Sequence, residues 1–309
     1  MFLLCFVFTC SCFLQLASAA SSRPNVLFFV VDDLRPRLGC YGESVMVTPN
    51  IDNLASRSVL FERAYVQFSL CSPSRTSFLT SRRPDTTRVF DLQTYFRNIS
   101  GDFTTLPQHF KDNGYVTQSV GKVFHPGIAS NNTDDYPYSW TFPAYHPATE
   151  KHMFGLACPG EDGKLHKNAV CPVSNMSLVP GQSLPDIGIA DFAVQFLQDR
   201  AKDPDQPFFL AVGFHKPHQP LRYPKEYLDL YPLSKIKPAV DNFFPMWLPP
   251  VAWAPCYPLR LNEDVQAAGF PMPYGPLPED FQLKLRQSYS AATSYTDAQL
   301  GRVLEALDK

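Results

Sequence analysis

Glycine is scarce in this chain, at 15 of 309 residues, while proline reaches 30. That balance excludes long flexible linkers and points to rigid, ordered loops. No single sign of charge dominates: 27 basic residues face 29 acidic ones, for a net charge of -2. A global nucleic-acid-binding surface is therefore not expected, although a local basic pocket is compatible with the balance. Disorder is excluded by a hydrophobic content of 45%, enough for one large core or two modest ones. Long apolar runs are missing apart from residues 2–16, which are too short and too interrupted by cysteine to span a membrane. With Ala17-Ser18-Ala19 after it, that run reads as a signal peptide over residues 1–19, despite an n-region without Lys or Arg. Sequons at Asn98, Asn131 and Asn175 agree with export and are the expected glycosylation sites.

Cysteine is also sparse once the leader is set aside. Cys5, Cys10 and Cys12 lie in it, leaving Cys40, Cys71, Cys158, Cys171 and Cys256. Five cysteines are too few for a disulfide scaffold of this size. Cys158 and Cys171, each followed by proline, flank Gly160-Glu161-Asp162-Gly163 and are the expected disulfide, with Cys40 reduced and buried.

The regular elements follow from apolar spacing. Residues 25–31 form an unbroken apolar, β-branched and aromatic run ending at Asp32-Asp33, the pattern of a strand buried on both faces. Residues 115–120 and 207–214 read as further strands. Helices are expected after Thr48-Pro49, over 106–113 with Gly114 closing it, along the stripe Ile189 to Leu197, and along Leu300 to Leu307. Alternating strands and helices predict an α/β fold, with a mainly parallel sheet flanked by helices and sites at the strand carboxyl ends. Pro-rich loops occupy about 134–188 and 217–280. Lys309 closes an amphipathic helix with no strand after it, so residues 20–309 are expected to be an incomplete N-terminal subdomain.

Asp32-Asp33 places two hard oxygen donors after a buried strand, either for a divalent cation or as a solvated turn. In Leu70-Cys71-Ser72-Pro73-Ser74-Arg75, Ser72 is expected to cap a helix and Pro73 to fit its first turn. Cys71 then lies at a helix N-terminus, which favours an anion, and Arg75 faces back toward it. A free cysteine is otherwise usually an inert buried one.

C-S-P-S-R at 71–75 resembles the C-x-P-S-R signature of type I sulfatases, in which the cysteine is oxidised to formylglycine. V-D-D at 31–33, G-K-V-F-H-P at 121–126 and H-K-P-H-Q-P at 215–220 fit the same family. Longer stretches, at 82–88, 114–127 and 207–218, resemble the branch that removes the 2-O-sulfate of iduronate from heparan sulfate and dermatan sulfate. The resemblance implies an alkaline-phosphatase-like fold and a sulfated glycosaminoglycan as substrate. It also implies a formylglycine-generating enzyme as partner, and traffic through the secretory pathway to the lysosome or secretion. A serine nucleophile would be left as a slowly cleaved sulfate ester, whereas a hydrated aldehyde carries a second hydroxyl whose deprotonation expels sulfate.

By the same resemblance, Asp32, Asp33 and Cys71 as formylglycine are ligands of one Ca²⁺ ion. Arg75 and Lys122 hold the formylglycine and sulfate oxygens, His125 is the base that triggers release, and His218 and Lys216 bind sulfate or protonate the leaving group. His215 is expected to be structural. Three departures stand out: Leu79-Thr80-Ser81-Arg82 replaces L-T-G-R, Lys122 and His125 are one residue further apart than in many members, and the downstream S-D-H-G motif is absent. That absence carries the expectation that the 309-residue chain is inactive alone. The rival readings are a non-catalytic truncated product binding sulfated glycan or a folding factor, and a phosphoesterase of the same superfamily, which would carry Ser or Thr at position 71.

Overall fold

The computed structural model describes residues 23–241, 245–249, 252, 259–269 and 276–309. The leader and Cys256 lie outside the described residues. Among the described residues seven strands are formed: β1 (Val26–Val31), β2 (Val116–Gly121), β3 (Cys158–Pro159), β4 (Leu165–His166), β5 (Val170–Val173), β6 (Phe208–Phe214) and β7 (Leu221–Pro224). The helices are α1 (Pro49–Ser56), α2 (Cys71–Thr80), α3 (Pro84–Thr87), α4 (Phe96–Ile99), α5 (Leu106–Asp112), α6 (Pro185–Arg200), α7 (Glu263–Ala267) and α8 (Glu279–Leu307).

The central sheet runs β1–β6–β2, all parallel. β6 lies in the middle and every residue of it is buried, which is why its sequence shows no polar alternation. Its two faces serve two layers. Phe208, Leu210, Val212 and Phe214 pack with Ile189, Ala193, Leu300 and Val303 of α6 and α8. Phe209 and Ala211 pack on the other side with Leu79 of α2, Phe96 and Trp140. The α/β reading therefore holds. The short parallel pair β5–β7 stands apart from this sheet, next to the Cys158–Cys171 disulfide, whose Cα atoms are 5.6 Å apart.

Three expectations need correction. The cap of α2 is Leu70 in extended backbone, not Ser72; Ser72 is already inside the helix, its buried hydroxyl without a partner. α8 is 29 residues long and begins well before the Leu300–Leu307 stripe. Its middle packs through Ser288, Ala291, Ala292, Thr293 and Ser294, small residues that give no strong apolar period. Cys40 carries no disulfide but is half-buried, its backbone N–H donating to Asp52 at 2.7 Å.

Candidate active site

Parallel strands deliver their carboxyl ends to one edge, and here β1, β2 and β6 lead directly into Asp32, Lys122 and His215. The Asp32 N–H donates to the Phe214 carbonyl at 3.0 Å, and the Lys122 N–H to that of Gly213 at 2.9 Å. Glycine is required at 213, because a Cβ there would sit 2.1 Å from the Lys122 carbonyl oxygen. Asp33 turns away from Asp32 with φ 55°, a left-handed conformation that aspartate tolerates. The result is one buried carboxylate and one exposed.

Cys71 is the first residue of α2. Its Sγ lies 3.7 Å from Asp32 Oδ1 and 3.8 Å from Lys122 Nζ. Arg75, one turn on, is buried and donates from Nη2 to Asp32 Oδ1 at 2.7 Å, while Nη1 reaches the carbonyls of Lys122 and Val123. Lys122 Nζ donates to the other oxygen, Asp32 Oδ2. The guanidinium thus clamps the two strand ends together and reaches the cysteine only through Asp32.

Burial opposes ionisation of Asp32, yet Arg75, Lys122 and His218 outweigh it and hold the carboxyl well below the usual range. Burial pushes the Cys71 thiol up, and Asp32 adds to the effect, so the encoded side chain is a thiol and not a thiolate. His125 is lowered to about 4 by burial and by Lys122 and Arg75. It is therefore a neutral imidazole, and its buried Nδ1 has no partner. His218 donates from Nδ1 to the Gln219 carbonyl and turns Nε2 toward Asp33 Oδ2 at 3.6 Å. Burial and Lys122 lower its pKa as well.

Lys216 is placed differently from the other cations. Its ammonium donates to the carbonyls of His218 and of Pro220, the latter at 2.7 Å. It braces the turn that carries His218, and burial lowers it to about 8. Asp186 completes that brace, accepting the N–H groups of His215 at 2.7 Å and Lys216 at 2.9 Å. Sequence reasoning passed over Asp186, because an acid after Pro185 in a first helical turn looks like an ordinary dipole partner. It also missed Glu150, whose Oε1 meets His215 Nε2 at 2.9 Å. His215 lies in this supporting layer.

Asp32, Cys71 and His218 offer ligand atoms within 4.8 Å of one another. Asp33 stands at the rim, its side chain 51% exposed. Asn98, Asn131 and Asn175 are all exposed. No helix among the described residues is long and apolar enough to cross a membrane.

The sulfatase family profile matches residues 24–309. The chain is 57% identical to iduronate 2-sulfatase of Mus musculus over 291 residues, 94% of this chain and 52% of that protein. Against iduronate 2-sulfatase of Homo sapiens it is 56% identical over 292 residues, 94% of this chain and 53% of the relative. It therefore spans about half the length of either. Among solved structures, the phosphonate monoester hydrolase of Agrobacterium radiobacter superposes with a TM-score of 0.61 at 22% identity, covering 93% of this chain and 59% of the other. At that identity the likeness speaks for the fold alone. The family match across the described fold, on a sheet edge that gathers Asp32, Cys71, Arg75 and Lys122, makes this chain a member of the sulfatase family.

Proposed function

We propose that residues 20–309 supply the catalytic subdomain of a sulfuric ester hydrolase acting on the 2-O-sulfate of iduronate in heparan sulfate and dermatan sulfate. The observation that carries this reading is the meeting of Cys71 with Asp32 and Lys122 at the start of α2, within 3.8 Å. The identity to iduronate 2-sulfatases supports the substrate.

The donor set bears on the implied Ca²⁺. Sulfur is a soft ligand and suits a hard cation poorly, whereas the carboxylates of Asp32 and Asp33 suit it well. The residues fit Ca²⁺ once position 71 carries oxygen, so the metal and the conversion of Cys71 to formylglycine belong together. With both in place, residue 71 would offer a hydroxyl to sulfur, and a Ca²⁺ held by Asp32, Asp33 and residue 71 would offer charge to the sulfate oxygens.

The chain's own side chains supply the rest. Lys122 neutralises a sulfate beside residue 71, and Arg75 holds Asp32 and the β2 exit rigid around it. His218, with Nδ1–H held by the Gln219 carbonyl, turns a bare Nε2 to the open side; a bound sulfate anion favours its imidazolium, which hands the Nε2 proton to the departing sugar oxygen. His125, neutral and with Nδ1 unspent, takes the proton whose removal frees sulfate. Lys216 keeps His218 in place. The reading further assigns glycans to Asn98, Asn131 and Asn175, a formylglycine-generating enzyme as the maturing partner, and the lysosome or secretion as destination.

The mass of the Cys71 peptide tests the proposal, in protein made by a host with the oxidising machinery. A lighter, hydrazide-reactive aldehyde is expected, and an unmodified thiol would overturn the catalytic reading. Cys71→Ser should cut sulfate-ester turnover by at least about 10³-fold. Parallel assays on phosphate esters separate the two ester classes.

A further inference from the structure

A cleft of about 330 Å³ is lined by Asp33, Pro217 and Gln219, next in the chain to Asp32 and His218 of the site. That volume is in the range of a small-molecule site. Its lining is uneven in charge. Arg35, Arg37 and Arg286 all face it, and Asp33 is the acidic side chain among its described residues. In a chain of net charge -2 such a cluster runs against the average.

The three guanidiniums are poorly neutralised. Arg37 meets Glu43 only at 3.6 Å. Arg286, which lines the cleft, donates from Nε to the Lys237 carbonyl at 2.7 Å. The Arg35 side chain has no ion pair or hydrogen bond among the described residues. Burial first, then the neighbouring Arg37 and Arg35, hold the Arg286 guanidinium below its ordinary value, with Glu43 acting against them. The cluster is also built rigidly. The Tyr289 hydroxyl donates to the Asp33 carbonyl at 2.8 Å and accepts the Arg35 N–H at 2.7 Å. It ties the turn after β1 to α8, so the root of Arg35 is fixed relative to Asp33. Leu221, Leu259 and Leu285 add apolar lining suited to the C–H face of a sugar ring.

We propose that this cleft is a second anion subsite, binding a sulfate on the hexosamine next to the uronate whose sulfate lies at residue 71. The inference rests on the sulfatase reading for the position of the first sugar. Cations in a cleft that shares Asp33 with the rim of the site favour an extended polyanion over an isolated sulfated monosaccharide.

Calorimetry on the full 309-residue chain tests it, in a Cys71→Ser background so that ligand persists. A heparan-derived sulfated tetrasaccharide is compared with 2-sulfated iduronate alone. Arg35→Gln should weaken the tetrasaccharide about 5- to 10-fold, as one charge-assisted contact would. The monosaccharide should change by less than about 2-fold, and Lys202→Gln, remote on the surface, should change neither. A tetrasaccharide without hexosamine sulfates should lose the sensitivity to Arg35→Gln, and kept sensitivity would overturn the subsite. Equal weakening of both ligands, or of neither, overturns the subsite. Wild type whose Cys71 is found as the aldehyde, with Arg35-independent binding, sinks the subsite alone. Arg35-dependent binding in protein from a competent host whose Cys71 stays a thiol sinks the sulfatase reading alone.

Discussion

Asp135 and Asp32 are both buried carboxylates gripped by an arginine, with 0% and 3% of their surface exposed. Around Asp135 every group is spent. Arg97 donates from Nε at 2.6 Å and from Nη2 at 2.8 Å, and the hydroxyls of Tyr95 and Ser139 complete the shell. Arg97 is itself covered by Tyr138, 4.4 Å from the ring centroid. Around Asp32 the sum does not close. Two cations, Arg75 and Lys122, meet one carboxylate, and the Nδ1 of nearby His125 and the hydroxyl of Ser72 stay unpartnered. A satisfied ionic network holds a fold in one arrangement; an excess of cation with unspent donors has room for an anion that the chain does not supply. The difference separates the two sites without reference to any relative.

Removing each acid would sharpen that contrast. Asp32→Asn should lower sulfate-ester turnover by about 10³-fold or more, since Lys122 and Arg75 lose the group that orients them. Asp135→Asn should leave turnover per folded molecule within about 2-fold. It should cost about 3–5 kcal/mol in urea denaturation, the scale of stranding a buried arginine. Comparable activity losses in the two variants would erase the distinction. A smaller effect is expected from the disulfide. Cys158→Ser with Cys171→Ser opens a link of sequence separation 13, which should cost about 2–3 kcal/mol of stability with little change in turnover.

β1 and β6 were legible because all of their residues are apolar, and the Cys71 helix because its motif is short and contiguous. The supporting layer was not. Asp134, His146, Glu150 and Asp186 sit in Pro-rich loops and a helix start, and beyond the local pair His146–Glu150 their partners come from the fold. No local spacing announces such a set. The α8 core was hidden for a different reason. Its buried hydroxyls answer within the protein, Ser290 and Thr293 to carbonyls four residues back and Ser288 to Tyr223. In sequence they read as an exposed polar face. The role of Lys216 was open for the same kind of cause, because two carbonyls that claim its ammonium belong to a turn whose shape the sequence does not display.

Two histidines extend the comparison into pH. His125 is lowered to about 4 and stays neutral above that, whereas His146 lies between Asp134 and Glu150, 2.8 Å from each. Burial works against the His146 imidazolium, but the two carboxylates outweigh it and raise the group to about 10. Burial likewise disfavours the Glu150 carboxylate, and hydrogen bonds from His146 and His215 bring it down to about 2. A pKa raised on folding stabilises fully below the unfolded value, 6.5 for His146, and the gain is lost as pH climbs toward 10. A depressed one acts in reverse: the Glu150 contribution is complete above 4.5 and disappears as pH falls toward 2. The network should therefore be firmest between those limits, from about pH 4.5 to 6.5. Relative to His146→Gln, the wild type should lose about 1–3 kcal/mol of unfolding free energy between pH 6.5 and 10, the worth of charge-assisted hydrogen bonds. His125→Gln should leave the shape of the stability curve unchanged over the same range. Parallel wild-type and His146→Gln curves would show that the imidazole is neutral between its two carboxylates, and the ionic account of this layer would fall.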